Sequence, residues 1–172
     1  MNKSTLLYGI ACGISLTLYV TLLDLSGVIY TTSWGPYLGY LAVLILPLCI
    51  LVAMQRWRKQ HTGLLLRHSL LVGLLVSLVA ATVYSAYTFI DITFFHARHL
   101  DNLFRYTREE MLKAGYSAAD VSKQISNMQA HYFSAKPYIS TYLWYLVMGL
   151  VFSLLFHFIL RFIYRSANAK TI

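Results

Sequence analysis

The stretch SLLVGLLVSLVAATVYS, residues 69–85, decides the fold of this chain. Small residues recur in it at every fourth position: Ser69, Gly73, Ser77, Ala81 and Ser85. A spacing of four places side chains on one side of an α-helix, one turn above another. In a bilayer such a face lets two helix backbones approach closely, because apolar side chains gain little by leaving lipid for protein. The stretch therefore predicts the packing face of a central transmembrane helix.

The composition of the chain indicates a membrane protein. Its 172 residues are 58% hydrophobic and 12% charged, with a mean hydropathy of +0.60. A soluble domain is normally about 25% charged and 45–50% apolar. The net charge of +8 is a possible sign of nucleic-acid binding, but the basic residues mostly flank apolar spans and form no single basic face with interleaved aromatics. We therefore predict the lipid bilayer as a partner, and no nucleic acid.

Four apolar runs are long enough to cross about 30 Å of hydrocarbon. They are residues 6–23, 37–54, 69–90 and 138–160. The only substantial water-soluble part lies between the last two, at residues 96–136. The predicted fold class is all-α: a single polytopic membrane domain over residues 1–172, with four transmembrane helices and a short amphipathic helical hairpin between the third and fourth.

Two helices are predicted in the polar hairpin. Thr107-x-x-Glu110 and Ser117-x-x-Asp120 both have the spacing of a capping box, and Gly115 is placed to end the first helix. The second helix carries an apolar stripe: Val121, Ile125, Met128 and Tyr132. This amphipathic pattern requires a contact surface, which is the preceding helix, the bilayer surface or a partner.

Partners for the small-residue face are expected within the bundle. Small pairs at the same spacing occur in the first and last spans: Gly9-x-x-x-Gly13 and Gly149-x-x-x-Ser153. Four-residue steps drift about 40° around a helix, so one straight partner cannot follow the whole face. We therefore expect one of these spans to pack near Gly73 and the other near Ala81.

Basic residues predict the orientation of the chain. The first loop, residues 24–35, holds no Lys or Arg, whereas the second holds Arg56, Arg58 and Lys59 close together. The third loop is basic too, but acidic residues dilute it. Since cytoplasmic loops carry an excess of Lys and Arg, both termini are predicted to be cytoplasmic and the hairpin to face outward.

The order of these features resembles a bacterial family of small four-span membrane proteins, domain-of-unknown-function family 4199. The resemblance covers about residues 8–162 and rests on the early YG, the R-W-R-K turn, the third span, the hairpin EEMLKAGYSAADVSKQISNMQ and the final G-x-x-x-S-L. Family members look as though they carry Asp-Pro where the third span ends, whereas Asp91 precedes Ile92 here, which leaves room for a longer helix. The resemblance implies a fold and a cell-envelope setting, and no known activity or ligand.

A metal site is one hypothesis for the outward polar residues. His96 and His99 are three residues apart and would share a helix face, while His131 would come from the second hairpin helix. The alternative is that these side chains are solvated at the headgroup boundary or paired with Asp101. We predict no resident metal, no other cofactor and no catalytic residues, since the chain holds no motif for a nucleophile, a phosphate loop or a zinc site.

Three further polar residues lie in or beside the spans: Asp24, Asp91 and His157. Ionisable groups at membrane depth are rare and start as functional hypotheses. His157 is four residues from Arg161, which places it near enough to the membrane boundary to be wetted or to bond another helix. These residues either relay protons or gate a pathway, or they simply lie at the membrane boundary.

The sequence favours a non-enzymatic structural, assembly or accessory subunit of the bacterial inner membrane, which associates with itself or with other membrane proteins. Its few buried charges and many small-residue faces support that hypothesis. The alternative is a small oligomeric transporter or channel, with the three polar residues as gates and Pro47 as a hinge.

Overall fold

The computed structural model describes residues 3–28, 35–60, 65–94 and 98–168, with the backbone alone described for Pro36, Phe94, Arg98, His99, Pro137 and residues 164–168. The described residues form six α-helices. They are α1 (Lys3–Ser26), α2 (Gly35–Gln60), α3 (Leu66–Phe94), α4 (Arg98–Lys113), α5 (Ala118–Tyr132) and α6 (Lys136–Asn168).

Four of these helices are long and apolar enough to span a membrane. Their apolar stretches are Lys3–Ser26, Tyr37–Gln60, Leu66–Thr93 and Tyr138–Ile163, with mean hydropathies between 1.9 and 2.4. Each of the four predicted runs lies inside one of them. The all-α prediction, with four spanning helices and a helical hairpin between the last two, is therefore confirmed.

The second and third spanning helices extend further than the apolar runs predicted. α2 continues through the basic residues to Gln60, and α3 already begins at Leu66, before the uncharged run starts. Arg, Lys and Gln are good helix formers, so a helix that leaves the hydrocarbon has no local reason to stop at its first charge. At its other end α3 continues past Asp91 to Phe94, as the absence of a proline after Asp91 allows.

Interhelical contacts fix the directions of the four spanning helices. The Tyr19 hydroxyl of α1 donates to the Leu38 carbonyl of α2 at 2.8 Å, so these two helices are antiparallel. The Arg58 guanidinium of α2 donates to the Leu160 carbonyl of α6 at 3.3 Å, which joins two helix C-terminal regions. We call the end that holds the start of α1 and the end of α6 the terminal end, and the opposite one the hairpin end.

α3 is the most buried of the spanning helices. Of its apolar window 44% is buried inside the protein, against 22–28% for the other three. It contacts α1, α2 and α6. The main core lies around it and includes Leu16, Ile50, Met54, Val72, Val76 and Ala80. The helix that carries the small-residue face is thus the centre of the bundle.

The hairpin has a small core of its own, formed by α4 and α5. Leu100 and Phe104 of α4 are buried against Val121 and Ile125 of α5, with Met128 and Tyr132 packed at the edge. The predicted stripe of the second hairpin helix therefore faces the preceding helix, which was one of three expected surfaces.

Of the three capping residues predicted in the hairpin, Ser117 and Gly115 are confirmed and Thr107 is wrong. Ser117 is the N-cap of α5 and accepts a hydrogen bond from the Asp120 backbone N–H at 3.2 Å. Gly115 follows α4 with a φ of 85°, a conformation that glycine adopts without strain. Thr107 is wrong as a helix start, because α4 already begins at Arg98. The buried pair Leu100 and Phe104 shows that the apolar periodicity extends upstream of Thr107.

Candidate functional site

Small residues of α3 and α6 form one antiparallel seam, which we call the Gly/Ser interface. Ser69 lies opposite His157, Gly73 opposite Ser153, and Ser77 opposite Gly149. Each step of four residues up α3 is therefore matched by a step of four down α6. The seam runs from the terminal end toward the middle of the bundle.

The two glycines of the Gly/Ser interface bring the helix backbones close together. A Cβ atom added to Gly73 would lie 2.9 Å from the Gly149 carbonyl oxygen and 2.9 Å from the Ser153 Cβ. A Cβ atom added to Gly149 would lie 2.8 Å from the Ser77 Cβ. Real Cβ atoms essentially never come so close to other atoms, so neither position has room for a methyl group.

One buried polar pair closes the Gly/Ser interface at the terminal end. The Ser69 Oγ lies 2.8 Å from the His157 Nδ1, and His157 is only 5% exposed. The Ser69 Oγ also lies 3.3 Å from the Leu65 carbonyl oxygen, but its single proton can be donated to only one of these acceptors. His157 is thus bonded to another helix, which is one of the two environments that the sequence predicts for it.

Further along the seam, the Ser153 hydroxyl bonds within its own helix. It donates to the Gly149 carbonyl at 2.5 Å. The Ser77 and Ser85 hydroxyls are buried with no hydrogen-bond partner among the described residues. Ser77 contributes close packing against Gly149, and Ala81 is fully buried on the same helix.

A second glycine contact joins α1 to α3. A Cβ atom added to Gly9 would lie 2.6 Å from the Val79 Cβ, and one added to Gly13 would lie 2.6 Å from the Val83 Cβ. The carbonyl oxygens of Val76 and Ala80 lie nearly as close, at 3.2 and 3.1 Å from these positions. α1 and α3 are therefore parallel, and α1 contacts α3 beside the Gly/Ser interface.

The hairpin end contains polar contacts that the sequence did not predict. The Thr21 hydroxyl of α1 and the Tyr87 hydroxyl of α3 are 2.7 Å apart. Tyrosines near span ends indicate an interfacial belt, but nothing in the residue types identifies the partner of each one.

The three candidate gates lie at different ends of the bundle. Asp24 and Asp91 are half-buried at the hairpin end, whereas His157 lies at the terminal end. The structure does not bring these three candidate gates together.

The metal hypothesis falls mainly outside the described side chains. His96 lies outside the described residues, and His99 is described by its backbone in α4 alone. His131 is exposed on α5 beside the Tyr132 ring, with ring centroids 5.9 Å apart. Within the described part of the chain, no three His, Cys, Asp or Glu side chains form a group suited to a metal ion.

An exposed ion pair stands at the end of α4. The Lys113 ammonium donates to a Glu110 carboxylate oxygen at 2.8 Å. This carboxylate raises the pKa of Lys113. Such an exposed pair contributes little to stability, so the hairpin depends on its apolar core.

A small apolar cleft opens between α1, α2 and α6 on the hairpin side of the bundle centre. Its volume is about 80 Å³. Its walls are Leu16, Ala42, Val43, Leu46, Trp144, Tyr145 and Met148. The lining is mostly hydrocarbon and aromatic surface, which suits an apolar occupant rather than an ion.

A family model described as "Protein of unknown function (DUF4199)" matches residues 3–161. The chain belongs to the DUF4199 family. No curated protein and no solved structure matches the chain. The match begins at the first residue of α1 and ends at Arg161 in α6, so it includes all four spanning helices and the hairpin. Both glycine contacts of this DUF4199 protein lie inside the matched range.

Proposed function

We propose that this DUF4199 protein is a non-enzymatic structural, assembly or accessory subunit of the bacterial inner membrane, with both termini cytoplasmic and the hairpin outside. The observation that carries the proposal is the organisation of the hairpin. Its buried residues Leu100, Phe104, Val121 and Ile125 form a cluster distinct from the core of the spanning bundle, with Ile92 of α3 packed at the edge of that cluster. The hairpin can therefore present a folded surface of its own to another protein.

The tip of the hairpin supports a docking role. Leu112 is 49% exposed and Tyr116 is 55% exposed, on either side of the turn at Gly115. Contiguous exposed apolar patches on a water-facing element are typical of contact sites, and Leu112 and Tyr116 are the apolar side chains that the tip would contribute to such a patch. The spanning helices support a scaffold rather than a reaction centre, since the Ser69–His157 pair joins two helices within the packed interior.

Site-specific photo-crosslinking in native membranes tests the proposal. A photoreactive residue replaces Tyr116 at the tip, and the matched control replaces Leu48, which is 60% exposed on α2. We expect the tip position to give a discrete protein adduct, identified by mass spectrometry. A strictly monomeric protein that forms no adduct from either position would contradict a subunit role.

A small oligomeric transporter or channel is the alternative, and the apolar cleft favours it. The cleft has walls from three helices and aromatic residues from α6, which suits passage or capture of an apolar molecule. Flux assays in liposomes separate the two functions. Transport above the level of empty vesicles, lost in a Leu46→Trp variant that fills the cleft, would favour the alternative over the subunit role.

A further inference from the structure

The two ends of the bundle differ sharply in charge. The sequence holds 14 Lys and Arg residues and 6 Asp and Glu residues. All six acidic residues are described and belong to the hairpin end: Asp24 and Asp91 near the ends of α1 and α3, and Asp101, Glu109, Glu110 and Asp120 in the hairpin. The terminal end therefore carries basic side chains with no acidic side chain to offset them.

Five basic residues with described side chains lie at the ends of α2, α3 and α6. They are Arg56, Arg58, Lys59, Arg67 and Arg161, which we call the terminal cation cluster. Arg58 is half-buried and the other four are exposed. Like charges placed together repel one another, so the cluster is suited to an anionic partner.

Three contacts bring these helix ends together. Arg58 donates to the Leu160 carbonyl, which joins α2 to the residue before Arg161. The rings of Trp57 and His68 have centroids 5.8 Å apart, which joins α2 to the residue after Arg67. The bond from Ser69 to His157 joins α3 to α6. The helix ends that carry the cations therefore lie next to one another.

The depth of the cluster matches lipid headgroups. The apolar stretch of α2 contains 24 residues and that of α3 contains 28. At about 1.5 Å per residue these helices exceed a hydrocarbon core of about 30 Å, so their ends reach the headgroup layer. Trp57, half-buried beside the cations, is an amphipathic ring of the kind enriched at this depth.

We propose that the terminal cation cluster binds the phosphate headgroups of anionic phospholipids. Guanidinium groups offer paired N–H donors that match phosphate oxygens, and four of the five cations are arginines. A lipid occupant fits better than a soluble polyanion, because the cluster surrounds helices that enter the bilayer. Each cation near the membrane surface contributes about fivefold to the affinity for an anionic lipid.

Native mass spectrometry of the full chain in detergent tests the proposal. The protein is titrated with phosphatidylglycerol or phosphatidylcholine of the same acyl chains. The test variant is Arg58→Gln/Arg67→Gln/Arg161→Gln. The matched control is Arg105→Gln/Arg108→Gln/Lys123→Gln, which removes three exposed charges from the hairpin. At about fivefold for each cation, we expect the test variant to lose roughly a hundredfold of the preference for phosphatidylglycerol over phosphatidylcholine, and wild type and control to keep that preference.

Equal retention of the two lipids by wild type, or an equal loss of preference in the test and control variants, would overturn the proposal. The variant Arg58→Lys/Arg67→Lys/Arg161→Lys keeps the positive charges and should keep the preference for phosphatidylglycerol. Displacement of phosphatidylglycerol by inorganic phosphate alone would show a free-anion site and also reject a lipid site. If the triple Gln variant does not fold, the exposed single variants Arg67→Gln and Arg161→Gln decide, with an expected loss of about fivefold each.

Discussion

The Gly/Ser interface and the hairpin core each pack two helices together, the first with small side chains and the second with large ones. In the Gly/Ser interface, Gly73 and Gly149 remove side-chain volume so that two backbones meet. In the hairpin, the large residues Leu100, Phe104 and Ile125 fill the space between two helices. Both interfaces are formed by antiparallel helices of one chain, so the difference does not come from topology alone.

The surrounding solvent explains this difference. The hairpin helices gain about 25 cal/mol for each Å² of apolar surface removed from water, so large buried side chains stabilise them. Spanning helices are already surrounded by hydrocarbon, so an extra leucine between them gains little, and close backbone contact contributes more. Substitutions of opposite kinds should therefore damage the two regions.

The largest expected effect comes from adding volume to the Gly/Ser interface. Gly73→Leu should lower the free energy of unfolding by about 3 kcal/mol, because the new side chain meets the Gly149 carbonyl and Ser153. Ala81→Leu should act in the same direction. Removing volume nearby, in Leu74→Ala, should cost less. Thermal unfolding in detergent, followed by circular dichroism, measures all three.

Gly39 on α2 supplies the matched control for that experiment. It is exposed, and a Cβ atom added there meets nothing within 4 Å. Gly39→Leu should therefore leave stability unchanged or raise it slightly, since leucine is the better helix former. A greater loss in Leu74→Ala than in Gly73→Leu would contradict the small-residue packing of α3.

The second effect comes from removing volume in the hairpin. Ile125→Ala should destabilise the hairpin by about 2 kcal/mol, because it leaves a cavity between α4 and α5. Hydrogen exchange should rise at backbone amides of residues 98–132 and stay low in α3 and α6. Leu112→Ala, an apolar truncation at a 49% exposed position, is the control. Equal acceleration across the spanning helices would show that the two cores are not separate.

The smallest expected effect concerns the polar pair within the bundle. In a double-mutant cycle, Ser69→Ala and His157→Ala should couple by about 1 kcal/mol, the usual scale of hydrogen bonds between membrane helices. The control cycle pairs His157→Ala with Thr88→Ala, whose hydroxyl bonds within its own helix to the Tyr84 carbonyl. Additive losses in the Ser69 cycle would mean that the pair contributes nothing beyond its separate contacts.

Much of the fold follows from sequence patterns that act over a single turn or a single span. Hydropathy predicts the four spanning helices because bilayer thickness sets a minimum length for each. Ser117 and Gly115 predict the boundary between the hairpin helices because capping is a local interaction. Thr107 fails because the same local signal lies within a helix that apolar residues extend upstream.

The exact pairing of distant residues could not be predicted from the sequence. The four-residue spacing predicts that the spans with Gly9 and Gly149 pack on α3, but it does not determine which of these two spans contacts Gly73. The bonds of Arg58 to the Leu160 carbonyl and of Thr21 to Tyr87 depend on helix rotation and relative height. Neither quantity is encoded in residue periodicity, which is the same for many arrangements of four helices.

The central position of α3 has a consequence for the order of events during synthesis. α1 is made before α3, so the partner of its glycine face appears once residues 76–83 enter the membrane. The partner of Gly73 is made about 75 residues later, after the whole hairpin, which takes several seconds at about 5–20 residues per second. Throughout that interval the Gly/Ser face of α3 is open to other helices in the bilayer. The nascent chain therefore passes through a stage at which the Gly/Ser face of α3 is complete but α6, its partner, has not yet been made.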